Sequence, residues 1–221
     1  MTSTAEQDYL KAIFRLTLKR ERAGTSELAQ QLGVTPASVT GMLRRLGGRQ
    51  PAPIRYVKHG GVELTPEGRR HALDTLRKHR MLELYLVREL GFSWDEVHAE
   101  AERLEHAISD LLVERMARKL GDPEVDPHGD PIPRRDGSLP ERSAVRLLDL
   151  SPGDRAWITR VSDHDPELLR YLGALGLVPE TALVMDMPEP FNGPLRLVLE
   201  SGTVMLGREA AAAVSVRKEE G

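Results

Sequence analysis

The chain has 221 residues, room for one large domain or two to three small ones, and no cysteine, which excludes disulfides, zinc–thiolate centres and thiol nucleophiles. No apolar run approaches the roughly 18 residues of a membrane span, and MTSTAEQDYL has no secretory-signal pattern; the expectation is a cytoplasmic protein with no membrane partner. The net charge of −3 divides unevenly: residues 1–75 hold twelve Lys/Arg against seven Asp/Glu, a balance of +5, so a polyanion partner is expected at that end of an otherwise acidic chain.

Tyr9, Ile13, Leu16 and Leu18 form a rough helical stripe over about residues 4–20. In TSELAQQLGVTPASVTGMLRRL, 25–46, Thr25 or Ser26 caps a short helix that buries Leu28, Ala29 and Leu32, and Gly33 ends it. Thr35 caps the next helix and Pro36 takes its first position, where a missing N–H costs nothing. Val39, Leu43 and Leu46 are its buried stripe, which leaves Thr35, Ala37, Ser38, Thr40, Gly41, Arg44 and Arg45 outward. IRYVKHGGVEL, 54–64, reads as two strands around a His59-Gly60-Gly61 turn. Two short helices around a glycine turn, followed by a hairpin, predict a winged helix-turn-helix. Its second helix lies in the major groove of DNA with small polar residues at the base edges, while Arg44, Arg45, Arg55, Lys58 and His59 meet the backbone.

Thr65-Pro66 opens a long helix, about 66–90, stopped by Gly91. Ser93-x-x-Glu96 is a capping box for a further helix expected to run to about Leu120, with Ala101, Leu104, Ile108, Leu111 and Leu112 on its core face. On that helix His98, Glu102, Glu105 and His106 fall within roughly a 100° arc. Glu102 and Glu105 repel each other unless a cation lies between them. His79 and Glu83, spaced i, i+4, share a face of the preceding helix. Carboxylates and imidazoles without thiolate suit Mn²⁺, Fe²⁺ or a related ion. A solvated charged face remains the alternative, as does an enzyme or metal store carrying a structural helix-turn-helix. Against enzyme chemistry, there is no H-E-x-x-H motif, no Gly-rich phosphate loop and no nucleophile elbow. Residues 121–141, rich in proline and glycine, read as a connector. From Ser151 short strands (RAWITRV, TALVMDM, LRLVLE, TVML, VSVR) and one helix near 166–175 predict a small β-barrel-like domain.

These residues carry a resemblance. AEQDYLKAIFRL, LTPEGRRHA, KHRMLELYL, EVHAEAERLEHAISD, DPHGDPIP, LLRYLGALGLVPETALVM and GTVMLGREAAAAVSV, spread over essentially the whole chain, make it similar to the diphtheria toxin repressor family of metal-dependent transcriptional regulators, nearer its manganese-responsive type. The resemblance implies a multidomain, mainly α protein with a small β domain. Its expected parts are a winged helix-turn-helix DNA-binding domain at 1–73, a helical dimerisation and metal-binding domain at 74–140, a linker at 141–150 and an SH3-like (FeoA-like) barrel at 151–221. It implies a primary metal site of Asp8, Glu102, Glu105 and His106, an ancillary site of His79, Glu83 and His98, and further ligands from His164 and Glu167 of the C-terminal domain. Iron-responsive members place Met and Cys where this chain has Asp8 and Glu102, which points to Mn²⁺ with Fe²⁺ as the alternative and up to two sites per subunit. The manganese branch has Glu where this chain has Lys11. The expected function is a homodimeric repressor, paired through the central helices, that binds a palindromic double-stranded DNA operator when metal is plentiful and so controls metal-uptake genes. No small-molecule substrate is expected.

Overall fold

The computed structural model describes residues 2–18, 20–140, 144–187 and 189–219. The chain divides into two compact units, one of residues 1–79, 104–110 and 133–138, the other of residues 80–103, 111–132 and 139–221.

In the first unit, helix α1 (Thr4–Thr17) begins where Glu6 Oε2 accepts the Ser3 N–H at 2.9 Å. It ends before the expected residue 20, and Lys19 lies outside the described residues. α2 (Thr25–Leu32) is capped one residue earlier than expected: Gly24 is the N-cap, and its N–H donates to Glu27 Oε2 at 2.9 Å. α3 (Pro36–Gly47) starts as its sequence dictates, with Thr35 Oγ1 accepting the Ser38 N–H at 3.2 Å. Leu10, Ile13, Phe14, Leu28, Leu43 and Leu46 bury completely or nearly so where the three helices meet.

The wing is β1 (Ile54–Val57) paired antiparallel with β2 (Gly61–Leu64). Gly61 holds φ +85, and a Cβ there would come 2.8 Å from the Ala23 carbonyl, which accepts the Val62 N–H at 3.0 Å. Only glycine fits that approach. Glu6 locks α1 to the end of α3: its carboxylate pairs with Arg49 and lies 3.3 Å from Arg45. Burial alone would raise its pKa, but the Ser3 N–H and the two guanidiniums outweigh that and hold it below the usual carboxylate range. The stabilisation from this lock is therefore present above that range and lost as pH falls through the lowered value.

α4 (Pro66–Leu90) matches its expected span, and Gly91 at φ +72 follows it. The helix expected over 97–120 is instead two, α5 (Val97–Leu104) and α6 (Asp110–Lys119). α5 ends in a tight turn, with Ala107 N–H donating to the Leu104 carbonyl at 2.9 Å. Ser109 and Asp110, poor helix-interior and good helix-start residues, then open α6. The break also overturns the single expected core face: α6 buries Val113, Met116 and Ala117, whereas Leu111 and Leu112 are 65% and 46% exposed.

In the second unit, the stretch expected as a bare connector is ordered and partly buried. Asp126 Oδ1 accepts the N–H groups of His128 and Asp130, both at 2.9 Å, and folds DPHGD into a closed turn. Asp130 then joins Arg80 of α4 (2.9 Å) to Arg160 (2.8 Å). The β-domain is one antiparallel sheet of six described strands: β3 (Val145–Arg146), β4 (Arg155–Val161), β5 (Ala182–Met185), β6 (Leu195–Leu199), β7 (Gly202–Leu206) and β8 (Val214–Lys218), ordered β3-β8-β4-β5-β6-β7. α7 (Pro166–Ala174) and the short α8 (Arg208–Ala211) complete it. Of the expected linker 141–150, residues 141–143 lie outside the described residues. Val145 and Arg146 pair with β8, and Leu147 and Leu150 enter the sheet's core, so the connection is shorter than the sequence suggests.

Candidate metal centres and DNA-reading surface

On the first unit's surface, Thr35, Ala37, Ser38, Gly41 and Arg44 of α3 are exposed, as are Arg55, Lys58 and His59 of the wing. His59 sits at φ 64 in the hairpin turn. Thr40 is half-buried, and its hydroxyl donates to the Pro36 carbonyl at 3.0 Å, so it presents its methyl group and a lone pair. Arg45 is exposed but lies against Glu6, so it is partly occupied within the chain.

The same unit brings Asp8, Glu105 and His106 together, with one ligand atom from each within 4.8 Å of the others. α1 supplies Asp8, and the turn after α5 supplies the other two. His106 Nδ1 lies 2.6 Å from Gln7 Oε1, an acceptor, so Nδ1 carries a proton. That turns Nε2 toward Asp8 Oδ1 at 2.9 Å and Glu105 Oε1 at 3.4 Å. An imidazole nitrogen and two carboxylates that converge this closely form a donor set that fits a divalent cation, and the Gln7 contact orients the ring as an outer-shell partner does for a ligating histidine. Glu105 is buried, with Lys11 Nζ 2.6 Å from Oε1 and His79 Nδ1 2.5 Å from Oε2.

The second unit holds another convergence. His98 Nδ1 lies 2.9 Å from Glu83 Oε1 and 3.3 Å from Asp163 Oδ2, and its Nε2 is 3.8 Å from Glu102. His79 precedes Glu83 by one turn of α4. Glu83, Asp126 and His128, all buried, also bring ligand atoms within 4.8 Å of one another. His128 stacks on Trp94 with ring centroids 5.8 Å apart. Its Nε2 lies 2.6 Å from the Trp94 carbonyl, which only accepts, so Nε2 carries the proton. Nδ1 is buried without a hydrogen-bond partner among the described residues. Burial drives the Asp126 carboxyl well above its ordinary range, and the charges of Glu83 and Asp130 push the same way against Arg80. A buried, unpartnered imidazole nitrogen beside two mutually repelling carboxylates is a donor set that fits a divalent cation.

The structure does not bring every expected residue in. His164 is exposed, 3.6 Å from Asp163, and Glu167 is exposed in the first turn of α7. From that loop it is the buried Asp163 that reaches His98. Asp126, His128 and Asp163 went unread as ligands; the DPHG turn and the aspartate beside His164 were the available signals.

A winged helix-turn-helix joined to carboxylate- and imidazole-lined clusters that could hold a metal ion defines a metal-responsive DNA-binding protein. Residues 1–49 match the N-terminal DNA-binding domain of iron-dependent repressors, residues 65–134 their metal-binding and dimerisation domain, and residues 145–218 the FeoA domain. The chain is 31% identical to the iron-dependent repressor IdeR of Mycobacterium leprae over 95% of each chain, and 31% identical to the diphtheria toxin repressor of Corynebacterium glutamicum over 96% of each. A solved manganese-dependent transcriptional repressor in complex with manganese superimposes with a TM-score of 0.89 at 41% identity, covering 97% of this chain and all of the other. The chain belongs to the diphtheria toxin repressor family. It is a metal-dependent DNA-binding transcriptional repressor, and the family's members are not enzymes. No described helix is long and apolar enough to cross a membrane.

Proposed function

We propose that this repressor answers to manganese. The observation that carries the reading is the convergence of Asp8, Glu105 and His106, with His106 Nε2 turned onto two carboxylates. The donor set contains no sulfur, and carboxylate with imidazole suits Mn²⁺. The 41% identity to a manganese-dependent repressor over nearly the whole chain supports the same ion. Iron(II) is the second reading, favoured by the 31% identity to iron-dependent repressors. The second site is assigned to Glu83, Asp126 and His128, with His98 and Asp163 beside them; His164 and Glu167 take no part. A bound divalent ion supplies charge that lets these carboxylates approach one another.

The chain's own part is to place Asp8 on the first helix of the DNA-reading module and Glu105 and His106 on the turn that faces it. Closing that pocket fixes α1, to which Glu6 ties the recognition helix α3 through Arg45 and Arg49. In a homodimer formed through the central helices, the two recognition helices then sit one DNA turn apart, or a multiple of it, on a palindromic operator. Exposed Leu111 and Leu112 are assigned to that dimer interface. Thr35, Ala37, Ser38, Thr40 and Gly41 face base edges, and Arg44, Arg45, Arg55, Lys58 and His59 face phosphates. The regulated genes are those of metal uptake and homeostasis, in the cytoplasm. Residues 1–73 are assigned to DNA binding, 74–140 to metal-linked dimerisation and the chain from Val145 onward to the FeoA-like module.

Operator retardation titrated anaerobically with Mn²⁺ and Fe²⁺ in parallel tests the choice of ion. The expected result is half-maximal binding at lower free Mn²⁺ than its physiological competitor requires for the same occupancy. Retardation by Fe²⁺ at a lower free concentration than Mn²⁺ requires contradicts it.

A further inference from the structure

Lys11 is 4% exposed, an unusual place for an ammonium. It lies three residues after Asp8 on α1, so both side chains leave the helix toward the same side. Its Nζ is 2.6 Å from Glu105 Oε1, the oxygen that lies 3.4 Å from His106 Nε2. A cation that is part of the chain therefore already occupies one side of the candidate pocket, against the carboxylate that the pocket's ion must share. The other Glu105 oxygen is turned to His79.

We infer that Lys11 is the pocket's resident second cation: it restricts the Asp8–Glu105–His106 site to a single divalent ion. The inference rests on reading that pocket as a metal site. Two considerations support it. Lys11 Nζ sets a positive charge 2.6 Å from Glu105 Oε1, the carboxylate oxygen that two divalent ions in this pocket would have to share. In addition, a second ion bridging to Glu105 Oε1 would sit within a few ångströms of a buried ammonium, where repulsion is screened far less than in water. The same ammonium gives Glu105 a charge partner in the metal-free protein, so the pocket keeps its shape without an ion, whereas a pair of carboxylates facing each other there would spread.

The test is metal analysis and electron paramagnetic resonance of the full-length protein saturated with Mn²⁺. Wild-type protein is expected to show only magnetically isolated Mn²⁺ ions. Lys11→Glu is expected to bind one more Mn²⁺ per chain and to show the exchange-coupled signal of two ions sharing a carboxylate. An exchange-coupled pair in the wild type overturns the role of Lys11, and this measurement does not depend on the variant folding. An unchanged ion count in a folded Lys11→Glu chain overturns it too, and both results leave the pocket standing as a metal site. His106→Ala separates the two readings: if it binds as many ions as the wild type, the pocket itself fails as a metal site and the inference falls with it.

Discussion

His106→Ala is expected to abolish the gain in operator affinity that Mn²⁺ confers, leaving binding at its metal-free level. Coupling between two sites of one protein is typically worth roughly 5- to 150-fold, and that factor should collapse to about one. His106 is the informative position because its removal is structurally mild. The side chain is 12% exposed, and its partners Gln7 and Asp8 are half-buried, so water replaces what is lost. Glu105→Ala is a poorer choice. It takes the carboxylate from the buried Lys11 and His79 together, and breaking a buried ion pair costs about 3–5 kcal/mol by itself. Fluorescence anisotropy on labelled operator with and without Mn²⁺, together with circular dichroism and sedimentation to establish fold and dimer, checks the expectation. Full metal stimulation in a folded, dimeric His106→Ala protein contradicts the assignment.

Gly129→Ala is expected to destabilise the second unit by on the order of 3 kcal/mol, the sum of an unfavourable backbone conformation and an overpacked contact. Gly129 holds φ +89, and a Cβ there would lie 1.9 Å from the Thr159 carbonyl oxygen. The turn cannot retreat easily: Val161 N–H donates to the His128 carbonyl at 2.9 Å, and Asp130 is held by Arg80 and Arg160. Gly153→Ala is the control. It shares the left-handed backbone, at φ +86, but a Cβ there meets nothing within 4 Å, so only the conformational cost of about 1–2 kcal/mol applies. Calorimetry should show Gly129→Ala melting well below Gly153→Ala. Because the displaced turn carries Asp126 and His128, Gly129→Ala should also weaken metal binding at the second site, which Gly153→Ala leaves intact. Equal melting of the two variants would show that the turn yields freely.

The winged module was legible because its signals are local. Thr35, Pro36 and Gly33 act within one turn of their own positions, and Val39, Leu43 and Leu46 repeat with the period of the helix that buries them. The break between α5 and α6 was not legible from periodicity, since it accompanies side chains tied to α1 and α4: Glu105 to Lys11 and His79, His106 to Gln7. DPHGD reads as a loop by composition, yet its order comes from Arg80 and Arg160, 50 and 30 residues away in the chain. The two-residue β3 is too short for alternation to reveal. In VSDHDPE, spacing could not say which of neighbouring acidic and imidazole groups turns inward; the fold buries Asp163 and leaves His164 in solvent.

In the proposed mechanism, side chains from the first helix and from the turn after α5 close on one divalent cation. Anomalous diffraction at the manganese edge from crystals of the Mn²⁺-loaded protein tests it most directly. An anomalous peak is expected within bonding distance of His106 Nε2 and of the Asp8 and Glu105 carboxylates. Fully loaded crystals with no peak there, whatever appears beside His128, would contradict it.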